Sequence, residues 1–235
     1  MTKENSYTYS GHENLLAMQH ARNYNDFLGR MIHKYGQGYA TIVDFGAGVG
    51  AFADTAKVWA GRLVCVEPDY KQLVILQSSG FETVPDISLL PDASVDYVYS
   101  VNVLEHIEDD IGVLAEISRK LRPGGRLLIY VPALHWLFTS MDREVGHVRR
   151  YSRGELNGKL CGAGYRITRS VYVDSIGVLA TLAYKWFANK QKGRINVGAL
   201  KAYDRFVFPL SLVLDRLLGK LLGKNLLVVC EKNGN

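Results

Sequence analysis

Apolar residues recur along the chain with two periods. Tyr24, Phe27, Leu28, Met31, Ile32 and Tyr35 fall at i, i+3, i+4, i+7, i+8 and i+11, the stripe of an amphipathic helix that ends at Gly36 and Gly38. Short β-rich runs follow: TIVDF from Thr41, RLVCVE from Arg62, FETV from Phe81, VDYVYSV from Val95, GRLLIYV from Gly125, YRITRSVYV from Tyr165 and NLLVVCE from Asn225. Helical stretches alternate with the first five runs. One spans Glu108 to Leu121, with Ile111, Leu114, Ile117 and Leu121 at helical spacing, acids at its start, bases at its end, and Pro123, Gly124 and Gly125 to stop it. The pattern predicts an α/β fold: a seven-stranded, mostly parallel sheet with helices on both faces and a helical insertion between the sixth and seventh strands. It is read as one domain over 1–235, with an N-terminal helical cap at 1–38 and the insertion at 174–224.

The insertion has its own character. Leu210, Val213, Leu214, Leu217, Leu218, Leu221 and Leu222 form an apolar stripe behind Pro209, and IGVLATLAY runs from Ile176. Both are shorter than the ~20 residues that span a bilayer. They could lie on a membrane surface, cap a greasy acceptor, form a homodimer interface or pack as core. Charge separates this segment from the rest. The chain carries +5, yet Lys185 to Lys224 holds six Lys and three Arg against Asp204 and Asp215, a net +7, which leaves the remainder at −2. Basicity confined to one segment argues against a nucleic-acid surface and for a local anionic partner. The start of the chain has no apolar stretch behind a basic end, so the expected location is cytoplasmic, with peripheral contact at the inner membrane surface through 176–224. Cys65, Cys161 and Cys230 have neither pairing nor CxxC spacing. They read as reduced core thiols, and no metal site is expected.

The chemistry gathers at strand ends. TIVDF runs directly into GAGVG, placing Asp44, Gly46, Gly48 and Gly50 at a strand-to-helix turn where the backbone can approach a ligand closely. Gly46, Gly48 and Ala51 also satisfy the dinucleotide pattern. Glu67 closes the second strand 23 residues after Asp44, where an acid can accept from both ribose hydroxyls. Asp86 follows the third strand, SVNVLEHIEDD the fourth, and LRPGG precedes the fifth.

The ordered series VDFGAGVG, VEPD, PDISLLPDASVDYV, SVNVLEHI and LRPGG resembles the class I S-adenosylmethionine-dependent methyltransferases, especially the type 11/12 methyltransferase-domain group. The resemblance implies a Rossmann-like sheet with S-adenosylmethionine as cofactor and S-adenosylhomocysteine as product. It implies that Asp44 faces the ammonium and methionine end, helped by Phe45, Gly46, Ala47, Gly48 and Gly50. Glu67, with Pro68 beside it, holds the ribose. Asp86 accepts from the adenine amino group and Ile87 offers its amide and an apolar face. Asn102 and Val103 lie along the cofactor near the transferred methyl. His106 supports the site structurally.

On the acceptor side, Ser152 and Glu155 have capping-box spacing, so His147, Arg149, Arg150 and Tyr151 stand just before a helix N-terminus. The two guanidinium groups are expected to grip an anionic part of the acceptor, with Tyr151 beside them. His147 is the candidate general base, because its ordinary pKa suits proton transfer near neutrality. The expected activity is methyl transfer to oxygen or nitrogen of a small-molecule or lipid-linked saccharide acceptor. Two alternatives stay open: an NAD-dependent oxidoreductase, disfavoured by the acid at Asp44, and a non-catalytic S-adenosylmethionine-binding partner protein.

Overall fold

The computed structural model describes residues 17–188 and 196–234. The parts of the N-terminal cap at 1–16 and of the insertion at 189–195 lie outside these described residues. Seven strands form one sheet: β1 (Thr41–Phe45), β2 (Arg62–Val66), β3 (Glu82–Val84), β4 (Val95–Val101), β5 (Leu121–Pro132), β6 (Tyr165–Val173) and β7 (Asn225–Lys232), in the order β3-β2-β1-β4-β5-β7-β6. The first five are parallel, and β7 runs antiparallel to both β5 and β6. The α-helices are α1 (Arg22–Gly36), α2 (Ala53–Ala56), α3 (Tyr70–Ser78), α4 (Asp110–Lys120), α5 (Ser140–Glu144), α6 (Arg153–Gly162), α7 (Ser175–Ala183), α8 (Val197–Ala202) and α9 (Phe208–Leu218).

Successive strand residues point to opposite faces, and both faces are covered, which is why these strands read as almost unbroken apolar runs. Val43, Val98, Leu127 and Ile129 pack with Leu114 and Ile117 of α4 and Leu156 and Leu160 of α6. Ile42, Tyr97, Tyr99, Leu128 and Tyr130 pack on the other side with Leu28 and Ile32 of α1. Each fully buried Leu or Ile contributes about 1.5–3 kcal/mol relative to exposure. Two boundaries differ from the sequence reading. Helix α4 begins at Asp110 because Asp109 Oδ1 accepts from the Gly112 amide at 2.9 Å and so caps it. Strand β5 already begins at Leu121, which pairs with Val95, but the register then jumps to Arg126 opposite Tyr97, so residues 122–125 bulge out of the ladder with Gly124 at φ +75°. Cys65 and Cys230 are core residues, but Cys161 on α6 is exposed, which corrects the expectation of three buried thiols.

The insertion docks through its acids. Asp204 accepts from the Asn23 and Tyr24 amides, each at 2.9 Å, and so caps α1 from about 180 positions away. Asp215 accepts from the amides of Asp174 and Ser175 at 2.7 and 2.9 Å, at the start of α7. Consequently α9 turns its polar side inward: Phe208 and Ser211 are buried, and the Ser211 hydroxyl accepts from the Ile176 amide. Leu212 packs against the core, while most of the apolar stripe turns outward. Leu210 is 55% exposed, Val213 55%, Leu217 78% and the following Leu221 74%.

Candidate active site

The chain leaves β1 toward β2 and β3 but leaves β4 toward β5, so the strand order reverses between β1 and β4, and a crevice opens at their C-terminal ends. Gly46 sits there at φ +79°, and a Cβ on it would stand 2.3 Å from Val103 Cγ2. Only glycine allows the β1 turn to lie against the end of β4. The Gly46 and Ala47 amides donate to the Val66 carbonyl at 2.9 and 3.1 Å, tying the turn to β2.

Glu67 is buried and organises this floor. Its Oε2 accepts from the Gly48 amide at 2.8 Å and its Oε1 from the Asp69 amide at 2.9 Å. Asp69 in turn caps α3 by accepting from the Lys71 and Gln72 amides. Burial raises the Glu67 carboxyl above its ordinary value, and the two amides oppose that rise. Pro68 between the two acids is exposed.

Asp44, at 4% exposure, has its Oδ2 buried without a hydrogen-bond partner. Desolvation pushes this carboxyl up to about 7; the Tyr99 hydroxyl opposes the rise, and the neighbouring negative charge of Glu67 adds to it. Such a group calls for a cation. Phe45, Ala47 and Gly50 are buried around it. At the end of β3, exposed Asp86 accepts from the Ser88 amide at 2.7 Å and caps a single 3₁₀ turn, while the Ile87 side chain enters the core. At the end of β4, Asn102 takes φ +54°, and its Nδ2 donates to the Tyr24 hydroxyl at 3.1 Å. Tyr24 was legible only as one member of an apolar stripe; its site contact has no local signal.

The segment after β4 and the α5–α6 connection meet. His147 Nδ1 lies 2.8 Å from Asp142 Oδ1, its Nε2 is 3.7 Å from Glu105 Oε1, and its ring meets that of His106 edge-on with centroids 4.8 Å apart. His106 Nδ1 lies 3.2 Å from the Gly146 carbonyl oxygen. Glu105 is completely buried. The Nε2 edge of His147 therefore faces Glu105.

At Arg149 and Arg150, expected to grip an anion, internal acids stand beside both guanidinium groups. Arg150 is 6% exposed; its Nε and Nη2 donate to the two oxygens of Asp142 at 2.9 and 3.0 Å, and its Nη1 donates to the Ala133 carbonyl. Arg149 Nη1 is 2.8 Å from Asp110 Oδ2, and its Nη2 donates to the Glu108 carbonyl. The buried Tyr151 hydroxyl lies 2.8 Å from Asp110 Oδ2. Internal acids thus already occupy both guanidinium groups. The capping box itself forms, with Ser152 Oγ accepting from the Glu155 amide at 3.2 Å. Asp142 was the residue overlooked, because nothing periodic marks its spacing to His147 and Arg150.

Residues 43–129 match the family described as a methyltransferase domain. Among curated proteins, a probable S-adenosylmethionine-dependent methyltransferase of Mycobacterium tuberculosis is 29% identical over 136 residues, covering 53% of this chain and 48% of that protein. The dimethylglycine N-methyltransferase of Parasynechococcus marenigrum is 35% identical over 100 residues, covering 36% and 34%. The chain thus spans about a third to a half of the length of the curated relatives it matches. A solved methyltransferase of Archaeoglobus fulgidus, described as dependent on S-adenosylmethionine, shares the fold at TM-score 0.63 and 16% identity, covering 93% of this chain and 99% of that one. With the glycine turn against Val103, the buried Oδ2 of Asp44 and the Glu67 floor at the ends of parallel strands, these matches show a class I S-adenosylmethionine-dependent methyltransferase domain over residues 43–129.

Proposed function

We propose that this chain transfers the methyl group of S-adenosylmethionine to oxygen or nitrogen of a small-molecule or lipid-linked saccharide acceptor. The observation that carries the reading is the buried, unpartnered Oδ2 of Asp44 at the mouth of the glycine turn. It suits a cationic ligand and repels the pyrophosphate that a dinucleotide would bring to the same turn. When bound, S-adenosylmethionine supplies a methyl on a sulfonium, moved by in-line displacement. The chain's own residues align and enclose. Asp44 meets the ammonium end, Gly46 and Gly48 keep the floor open, Glu67 accepts from the ribose, Asp86 and Ile87 take the adenine, and Asn102 and Val103 line the methionine end. Where the acceptor must lose a proton, His147 is the candidate to receive it.

Calorimetry tests this reading. S-adenosylmethionine and S-adenosylhomocysteine are expected to bind in about the micromolar range, with no appreciable NAD binding. Because Asp44 must be ionised to hold a cation and titrates at about 7, affinity should fall by up to about tenfold per pH unit below that value. Tighter binding of NAD than of S-adenosylmethionine overturns the assignment.

For the acceptor, the outward face of the insertion favours an amphiphile at an anionic membrane surface. Leu179, Trp186, Phe206, Leu210, Val213, Leu217, Leu218 and Leu221 are all exposed, half of the large exposed apolar residues among those described. The acids of the same segment, Asp204 and Asp215, are turned inward onto amides, so the basic residues are less offset at the surface. No described helix is long and apolar enough to cross a membrane. Each basic residue near anionic lipid contributes about 1 kcal/mol. Co-sedimentation with vesicles should rise with anionic lipid content and fall with salt. No binding under any of these conditions returns the segment to a lid or homodimer interface over a water-soluble acceptor.

A further inference from the structure

We infer that Glu105, His106 and His147 form a binding site for one divalent transition-metal ion beside the cofactor crevice. One ligand atom from each of the three lies within 4.8 Å of the others. The 3.7 Å between His147 Nε2 and Glu105 Oε1 is too long for a hydrogen bond. It is close to the roughly 3.4 Å that separates two ligands of a tetrahedral ion bound at 2.0–2.1 Å.

Two further observations point to an ion. Glu105 is 0% exposed, and neither of its carboxylate oxygens has a hydrogen-bond partner. A carboxylate held that way is costly unless a cation faces it. Each imidazole also has an acceptor behind it, as metal-bound histidines do. Asp142 Oδ1 stands 2.8 Å from His147 Nδ1, and the Gly146 carbonyl 3.2 Å from His106 Nδ1. With an acceptor behind its Nδ1, His147 turns its Nε2 toward Glu105. The charge of Asp142 is balanced by Arg150, which leaves Glu105 as the anion of the site. Two imidazoles and a carboxylate suit zinc, iron(II) or manganese, and three protein ligands leave a position open.

Glu105 stands two positions after Val103 and three after Asn102, whose Nδ2 contacts the Tyr24 hydroxyl. An ion there would bind an acceptor hydroxyl and lower its pKa, which favours an oxygen acceptor. That last step rests on the methyltransferase reading; binding of the ion does not.

The test uses the full, tag-free chain, stripped with chelator and titrated calorimetrically with Zn²⁺, Mn²⁺ and Co²⁺ in separate runs. The expected result is one ion per chain for at least one metal. Glu105→Gln and His147→Gln should weaken that binding by about 100-fold or more, with folding checked by circular dichroism. His106→Gln serves if either variant unfolds. Absence of stoichiometric binding by the wild type for all three metals overturns the site, as do folded variants that bind as tightly as the wild type. S-adenosylhomocysteine binding, measured on the same wild-type sample, separates this failure from failure of the methyltransferase reading.

Discussion

Arg150→Gln is expected to destabilise the fold by about 3–5 kcal/mol, read as a lower urea midpoint and a Tm drop on the order of 10 °C. Arg150 and Asp142 are 6% and 2% exposed and joined by two hydrogen bonds at 2.9 and 3.0 Å. Removing the guanidinium leaves Asp142 buried beside Glu105 with only His147 and Thr139 to stabilise it. Arg149→Gln is the contrast. Its side chain is 24% exposed, and its partner Asp110 keeps Lys159 at 2.6 Å, so a cost nearer 1 kcal/mol is expected.

The pH dependence follows from the same pair. Burial alone would raise the Asp142 carboxyl, but His147 and Arg150 outweigh it and hold the pKa well below the usual carboxylate range. A depressed folded pKa contributes stability that is present above the unfolded value of about 3.9 and lost as pH falls through the folded one. The gap between wild type and Arg150→Gln should therefore narrow as pH drops below about 4. An unchanged urea midpoint at neutral pH would mean that Arg150 is available to an acceptor after all.

The contrast between Arg150 and the strands shows what the sequence makes legible. Runs such as TIVDF and VDYVYSV are recognisable because both of their faces are buried, so a local pattern reports a tertiary fact. The glycine turn is recognisable because Gly46 answers to backbone geometry. Arg150, by contrast, has the same letter whether it meets a ligand or Asp142, and its partner lies eight positions away in another element. The direction of α9 was hidden for a related reason. Periodicity finds the leucine stripe but cannot say which way it faces; that was decided by Asp215 and Ser211 reaching the start of α7, 40 and 35 positions distant. The cluster of Glu105, His106 and His147 joins segments about forty residues apart, with no spacing rule to announce it.

Glu67→Ala is expected to weaken S-adenosylmethionine by about 2–4 kcal/mol, roughly 30- to 1,000-fold, with little change in Tm. Two losses combine. The ribose hydroxyls lose a charged acceptor, and the Gly48 and Asp69 amides lose the carboxylate that fixes the turn over which the cofactor lies. Stability should hold because desolvation already raises this carboxyl, so its burial does not favour the folded state through charge. The geometry also predicts that Gln will not rescue. Glu67 accepts from one amide through each oxygen, and a carboxamide offers one oxygen and one NH₂. Whichever way it is turned, the NH₂ must oppose an N–H, so Glu67→Gln should bind within about fivefold of Glu67→Ala. Calorimetry on the two variants decides this. If Gln retains wild-type affinity, the carboxylate does not hold the turn in the way its two hydrogen bonds indicate, and if Ala retains it, the ribose role is wrong as well.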